Sequence, residues 1–446
     1  MNKERFVIKG GKNLEGTIRV KGAKNNALKV LAASLLSREP WTITRVPFVE
    51  DVLRTLELLR ALGVEIGDTP SGGDTVRLQA KNITSTALDA DVSKRIRASM
   101  VLTGPLLARM HEVSFPHPGG CVIGERPIDI FLKGFEALGA SVELADGFYH
   151  LRAKNGLRGA SIFFPVVSVT ATETLLMTAV LARGTTVLKN AAMEPEIVAL
   201  ADFLNTCGAR ISGHGTPQII VEGVKELGAG SFRVIPDRIE AGSFALMAGA
   251  TRSRLTIADC NPAHLDALIS LLQDTGVKVE QTETSLTVDA TGPKSLKARS
   301  IITHEYPGFV TDLQAPATVF LTQLEGESRV FETIFEGRLN WTQELVRMGA
   351  RITVADPHRI FIQGPANLRG QEITSPDIRA GMALIIAGLI AEGQTLIHNV
   401  YQIDRGYEKI EERLRGIGAD IERVGAKESS NDKIQMTKQA QNTTSK

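Results

Sequence analysis

A short punctuation recurs six times along this chain, and it constrains the fold more than any other feature. A helix-like segment ends in a glycine followed by a small apolar residue: Leu62-Gly63-Val64, Leu138-Gly139-Ala140, Cys207-Gly208-Ala209, Thr275-Gly276-Val277, Met348-Gly349-Ala350 and Ile417-Gly418-Ala419. Successive glycines are 76, 69, 68, 73 and 69 residues apart. Each stands where a helix C-terminus calls for a left-handed residue. An extended run follows, as in Val64-Glu65-Ile66 or Ala350-Arg351-Ile352-Thr353-Val354. A fixed period of this length means that one supersecondary unit is copied along the chain.

Within a unit the pattern reads strand, small-residue helix, strand, amphipathic helix, glycine. In the first unit these are 16–20, 26–36, 41–45, 49–62 and Gly63; the fifth opens with a strand at 300–303 and a helix at 315–322. The helices around Ala32-Ala33-Ser34 and Ala380-Gly381-Met382-Ala383 are apolar nearly all round, which marks them as buried. Each unit then keeps one helix inside and one outside. The 446 residues exceed one ordinary domain. Six units predict an α/β fold of two domains with three units each, the middle boundary lying near Gly228-Ala229-Gly230. The expected division is 22–232 for domain one and 1–21 with 233–425 for domain two, since strand Arg5–Lys9 precedes the first unit and can pair with the last. A solenoid is the competing architecture, but buried helices at this period suit closed globules better. The polar segment 426–446 is expected to be a disordered tail.

Formal net charge is +1, so no global field favours nucleic acid or an anionic membrane, and any anion site must be built locally. Cys121, Cys207 and Cys260 have neither metal spacing nor a disulfide framework, which suits a reducing compartment. The start, Met1-Asn2-Lys3-Glu4-Arg5, lacks a signal-type apolar region, and the run Met382–Ile390 is too short to span a bilayer. A cytoplasmic protein without membrane or nucleic-acid partners is expected. His111, His117 and His304 have no ligand spacing, so no metal is assigned.

The residues able to do chemistry lie at the unit turns. The loop Pro116-His117-Pro118-Gly119-Gly120-Cys121-Val122-Ile123-Gly124-Glu125-Arg126-Pro127 is too rich in proline and glycine for a regular element, and it sets a thiol near a guanidinium. Lys24-Asn25-Asn26 falls between a strand and a helix, where free N–H groups and a lysine make an anion site, unless Asn25 merely caps the helix. Ser93-Lys94-Arg95-Ile96-Arg97-Ala98-Ser99 reads as a basic helix start, ordinarily a solvated face. Asp237-Arg238, Asp377 with Arg379, Glu336 with Arg338 and Asp404-Arg405 repeat an acid-then-arginine pattern at equivalent turns. Each pair alone is a local salt bridge worth under about 1 kcal/mol if exposed. Four at matching strand ends can instead converge on a multiply charged anion such as phosphate or carboxylate. Asp312 is either a helix-start acid or a general base beside that cationic site.

These residues carry a resemblance. From about Phe6 to Val424 the chain resembles the UDP-N-acetylglucosamine 1-carboxyvinyltransferase family of enolpyruvyl transferases. The loop with Cys121, Arg126 and Pro127 is the most specific match, joined by Gly22-Ala23-Lys24-Asn25, 95–99, 236–240 and Ile403-Asp404-Arg405-Gly406-Tyr407-Glu408. The resemblance implies the two-domain enolpyruvyl transferase-like fold, with buried helices inside each domain. It implies transfer of the enolpyruvyl group from phosphoenolpyruvate to the 3-hydroxyl of UDP-N-acetylglucosamine, with no cofactor, no metal and no required oligomer. It further implies that Lys24, Arg126 and Arg405 hold phosphoenolpyruvate, with Asn25, Arg338, Asp377 and Arg379 around it. Asn25, Arg97, Arg126, Ser168, Val169, Asp312 and Ile334 would contact the sugar nucleotide. Asp312 would take the hydroxyl proton, and Cys121, the thiol that the epoxide fosfomycin attacks in this family, would act on phosphoenolpyruvate; Lys24 and Arg405 complete the catalytic set. Val166, Thr170, Met193 and Trp341 depart from the family pattern. The first three fall on the nucleotide side, which leaves another uridine nucleotide or nucleoside open as acceptor.

Overall fold

The structure is a computed structural model that describes residues 4–67, 73–117, 123–124, 128–292 and 294–425. Residues 426–446, the expected tail, lie outside that range. Among the described residues, twelve of the α-helices fall into six pairs: α1 (Lys24–Ala33) and α2 (Glu50–Ala61), α3 (Thr103–Met110) and α4 (Asp129–Ala137), α5 (Val169–Val180) and α6 (Pro195–Thr206), α7 (Arg238–Ala250) and α8 (Asp266–Thr275), α9 (Gln314–Leu321) and α10 (Thr342–Arg347), α11 (Ile378–Ile390) and α12 (Ile410–Arg415). The second helix of every pair runs into one of the six repeat glycines. All six glycines have left-handed backbone, with φ of 95° at Gly63, 96° at Gly139, 104° at Gly208, 99° at Gly276, 105° at Gly349 and 96° at Gly418. A side chain there would meet a strained conformation, and glycine removes that cost.

The first helix of a pair is the inner one. Every residue of α1 except Asn25 is buried, every residue of α7 is buried, and α11 is buried from Arg379 to Leu389. Leu384, Ile385 and Ile386 have no exposed surface. Burying such side chains contributes about 1.5–3 kcal/mol each. The second helix is amphipathic: α2 buries only Asp51, Val52, Thr55, Leu56, Leu58 and Leu59.

Among the described residues the strands form five four-stranded sheets and one three-stranded sheet. Seven strands decide the topology: β1 (Arg5–Lys9), β2 (Glu15–Arg19), β3 (Trp41–Thr44), β4 (Gly230–Arg233), β5 (Arg254–Ala258), β6 (Gln394–His398) and β7 (Asp420–Val424). β1 lies between β6 and β7, antiparallel to both. The opening strand of the third, fifth and sixth units runs parallel to the second strand of its own unit. The first and fourth units exchange theirs: β2 pairs with β5, and β4 pairs with β3.

Buried apolar side chains accordingly gather in two cores. One draws on residues from Ala23 to Val234; the other combines Phe6–Val20 with Ile239–Ile421. The chain passes between them at two places, and these passages pair with each other. Gly22 bridges Pro236, Ala23 N–H donates to the Ile235 carbonyl at 2.7 Å, and Asp237 N–H donates to the Lys21 carbonyl at 3.0 Å. Gly22 must be glycine, since a Cβ there would stand 1.9 Å from the Arg45 carbonyl oxygen.

Two local expectations change. The segment 93–99 does not open a helix. Lys94 and Arg95 close a short one, Ala90–Arg95, where cations suit the negative end of the helix dipole; Ile96 is extended and a 3-10 stretch begins at Arg97. Gly230 is a packing glycine and not part of a linker: a Cβ would stand 2.6 Å from Cys207 Sγ, and the passage to the second core comes after Val234.

Candidate active site

The passages between the cores deliver Lys24 to its place. α1 begins at Lys24 with Ala23 as its N-cap and no side-chain cap. Asn25 therefore does not cap the helix. The Lys24 N–H instead donates to Asp237 Oδ2 at 3.2 Å, while Asp237 Oδ1 accepts from Ile239 and Glu240 N–H at 2.9 and 3.0 Å and caps α7. One carboxylate thus closes the starts of two inner helices from the two cores.

Asp51, on the buried face of α2, joins two cations. Lys24 Nζ donates to its Oδ2 at 3.1 Å, and Arg405 Nε donates to its Oδ1 at 2.9 Å. Burial would raise the Asp51 carboxyl, but Lys24 and Arg405 outweigh it and hold it below the usual range. Burial pulls the Lys24 ammonium below its ordinary value, against Asp51. A second carboxylate, Asp312, sits in the 3-10 turn Thr311–Leu313 ahead of α9 and accepts from Arg338 Nη2 and Arg379 Nη2, both at 2.8 Å. Burial pushes its carboxyl up, but the two guanidinium groups win and hold it well below the usual range. Its side chain is 28% exposed, so it stays reachable from outside. Arg379 also lies 3.5 Å from the Tyr407 hydroxyl, and its charge acts on Lys24, which links the two groups.

The acid-then-arginine pairs are not local salt bridges. Asp377 caps α11 through Arg379 and Ala380 N–H at 2.8 and 3.0 Å, and the Arg379 guanidinium goes to Asp312. Arg238 pairs with Glu196 on α6, at 3.1 Å. Asp404 pairs with Arg423, Arg405 with Asp51, and Arg338 with Asp312. A residue at a helix start points its backbone into the helix and its guanidinium elsewhere, so sequence neighbours need not be partners.

The remaining expected residues are placed as follows. Ser168 caps α5 through Ala171 N–H at 3.3 Å, and Val169 is the first residue of that helix, half-buried. Ile334 is half-buried, its N–H held by Glu332 Oε1 at 2.9 Å. Arg97 is half-buried at the start of its 3-10 stretch. Cys121, Arg126 and Pro127 lie outside the described residues. Ile123, between them, is described: its carbonyl accepts from Gly337 N–H at 3.1 Å, which sets Ile123 against the turn that carries Arg338. Four cations, Lys24, Arg338, Arg379 and Arg405, thus face two carboxylates, Asp51 and Asp312. An excess of fixed guanidinium and ammonium charge is chemistry for a small polyanion carrying phosphate or carboxylate.

Asp51 and Glu196 are functional positions that no motif in the sequence singles out. Asp51 had a signal: it falls in the apolar stripe of α2 with Thr55, Leu58 and Leu59, and an acid on a buried stripe needs a partner. Glu196 had none, since an acid in a first helical turn is ordinary.

A sequence profile of EPSP synthase (3-phosphoshikimate 1-carboxyvinyltransferase) matches residues 8–414, and the chain belongs to this family of enolpyruvyl transferases. Within it, the chain is similar to proteins named UDP-N-acetylglucosamine 1-carboxyvinyltransferase. That of Solibacter usitatus is 47% identical over 94% of this chain and 100% of the relative. That of Koribacter versatilis is 44% identical over 95% and 97%. Among solved structures, the enolpyruvyl transferase of Streptomyces tendae shares the fold with a TM-score of 0.85 at 24% identity, over 96% of this chain and 100% of that one. EPSP synthase from Acinetobacter baumannii follows at 0.72 and 18%, over 94% and 100%.

Proposed function

We propose that this chain transfers the enolpyruvyl group of phosphoenolpyruvate to the 3-hydroxyl of UDP-N-acetylglucosamine and releases phosphate, the entry step of peptidoglycan precursor synthesis. The observation that carries this reading is identity of 42–47% to relatives of that name over nearly the whole chain. The grouping of Lys24, Arg338, Arg379 and Arg405 around two carboxylates supports it.

In this reading Lys24, Arg126 and Arg405 bind phosphoenolpyruvate, with Asn25, Arg338, Asp377 and Arg379 beside it. Arg97, Ser168, Val169 and Ile334 serve the sugar nucleotide, together with Asn25, Arg126 and Asp312. Asp312 takes the proton of the 3-hydroxyl, whose oxygen attacks C2. Cys121 delivers a proton to C3. The tetrahedral adduct then loses a proton from C3 and breaks its C2–phosphate bond, leaving an enol ether and phosphate. A base clamped by two guanidinium groups is weak. The phosphate and carboxylate of phosphoenolpyruvate bring negative charge to Arg338 and Arg379, which restores proton affinity to Asp312 when the donor is in place. Residues 22–232 and 1–21 with 233–425 act as the two domains; the two cores support this division, with Val234 still packed in the first. We read the enzyme as cytoplasmic; among the described residues no helix is long and apolar enough to cross a membrane.

The test is phosphate release from phosphoenolpyruvate with a series of acceptors. Release is expected with UDP-N-acetylglucosamine. Release with free uridine nucleotides and none with the sugar nucleotide would replace the acceptor, and no release with any acceptor would end the reading.

A further inference from the structure

One buried side chain touches the site without taking part in the reaction. Tyr407, between α11 and α12, has no exposed surface. A phenol carried into a core needs partners for its hydroxyl, and this one has two. Ser243 Oγ on α7 lies 3.1 Å away, and Arg379 Nη1 on α11 lies 3.5 Å away.

The chemistry of the three groups fixes which of them donates. Ser243 has one hydroxyl proton, and it goes to the Ile239 carbonyl at 2.7 Å. Toward Tyr407 the serine oxygen can therefore only accept, so the Tyr407 O–H donates to it. Arginine has no acceptor, so the Tyr407 oxygen accepts from Arg379. Burial raises the Tyr407 hydroxyl above its ordinary pKa, which keeps the proton in place for this role. The result is a directed chain from Arg379 through Tyr407 and Ser243 to a carbonyl in the first turn of α7. Gly406 allows the close approach, since a Cβ there would collide with Ile378 Cγ2 at the start of α11.

Arg379 is thereby held at two points: Nη2 donates to Asp312 and Nη1 to Tyr407. A guanidinium is planar, so two anchored nitrogens set its plane and the direction of its remaining N–H groups. The two holders differ in charge. Asp312 already shares one negative charge between Arg338 and Arg379. A second carboxylate would cancel the positive charge that remains, whereas a neutral phenol fixes direction and leaves that charge for an anion. We propose that Tyr407, oriented by Ser243, is a positioning residue for phosphoenolpyruvate, fixing the Arg379 guanidinium without neutralising it. This rests on the functional reading above, in which Arg379 lies beside phosphoenolpyruvate.

The experiment is steady-state phosphate release by the full chain with phosphoenolpyruvate varied, joined by calorimetry of UDP-N-acetylglucosamine binding alone. Tyr407→Phe keeps the ring and removes the hydroxyl. Its KM for phosphoenolpyruvate is expected to rise about tenfold, the low end for a hydrogen bond to a charged group, while its affinity for the sugar nucleotide stays at the wild-type value. Ser243→Ala is expected to raise the same KM by a smaller factor. Ser243→Ala/Tyr407→Phe is expected to match Tyr407→Phe, because Ser243 acts only through the phenol. That double variant removes both hydroxyl partners together, so it leaves neither unsatisfied and guards the fold. An unchanged phosphoenolpyruvate KM, an equal loss of affinity for both substrates, or additive effects in the double variant would overturn the proposal. Wild-type protein is run alongside. Wild-type release with an unchanged KM in the variants sinks only this inference, whereas no wild-type release with any acceptor sinks the functional reading and this inference with it.

Discussion

Asp51 accepts from Lys24 and Arg405, side chains that belong to different cores, and Asp312 accepts from two arginines at once. Both carboxylates hold cations in place before a substrate arrives. They differ in exposure: Asp51 is 6% exposed and serves as a fixed strut, while Asp312 at 28% can meet a substrate. A general base contributes about 10²–10⁴-fold. Asp312→Asn should therefore lower kcat by about that factor. Its amide cannot hold Arg338 and Arg379 as a carboxylate does, so phosphoenolpyruvate affinity should be kept or improved. Steady-state kinetics with a binding measurement check this, and an undiminished kcat would remove Asp312 from the role. Most of these residues were legible in the sequence as residue types at unit turns. Their partners were not, because Asp312 finds Arg338 and Arg379 across 26 and 67 residues of chain, and no local spacing encodes that.

At the scale of elements, the inner helices combine apolar burial with a few charges that must pair inside. Lys29 and Glu173 are such a pair. Removing one partner leaves an uncompensated buried charge and costs about 3–5 kcal/mol, whereas replacing both by apolar residues is near neutral or stabilising. Lys29→Met alone should therefore lower the unfolding free energy by about that amount, and adding Glu173→Leu should restore it; denaturant unfolding reads both. The pH dependence has a definite sign. The folded Glu173 carboxyl is raised from its ordinary 4.5 to about 7, so the folded chain holds a proton that the unfolded chain has lost. Its contribution to stability therefore falls as the pH rises from about 4.5 to about 7, and the slope should vanish in the double variant. The repeat glycines made the helix pairs legible, since each requires positive φ and the sequence offers glycine at every one. The segment 93–99 misled because basic residues look alike at either end of a helix until the extended Ile96 is seen.

For the whole molecule, two cores are joined by two chain passages that hydrogen-bond to each other, and by ion pairs that cross from one core to the other. Arg405 reaches Asp51, Arg238 reaches Glu196, and Glu408 accepts from Phe48 N–H at 3.0 Å. Strand β1 inserted between β6 and β7 was foreseeable from its place ahead of the first repeat. The exchange of β2 and β4 between sheets was not fully readable, because the two units have the same pattern and only packing distinguishes them. Since cations from both cores converge, a shared anion should draw the cores together over residues 116–127. Limited proteolysis within that loop should slow when phosphoenolpyruvate and UDP-N-acetylglucosamine are both present, and equal cleavage with and without them would contradict closure.

The central claim is that the bond broken is C2–O of phosphoenolpyruvate and not the P–O bond. Phosphoenolpyruvate carrying heavy oxygen in the bridge between C2 and phosphorus tests it directly, with the products read by mass spectrometry. Cleavage at C2–O puts the heavy oxygen in the released phosphate and an enolpyruvyl group on UDP-N-acetylglucosamine. Heavy oxygen retained in pyruvate, with the sugar nucleotide unchanged or phosphorylated, would contradict it.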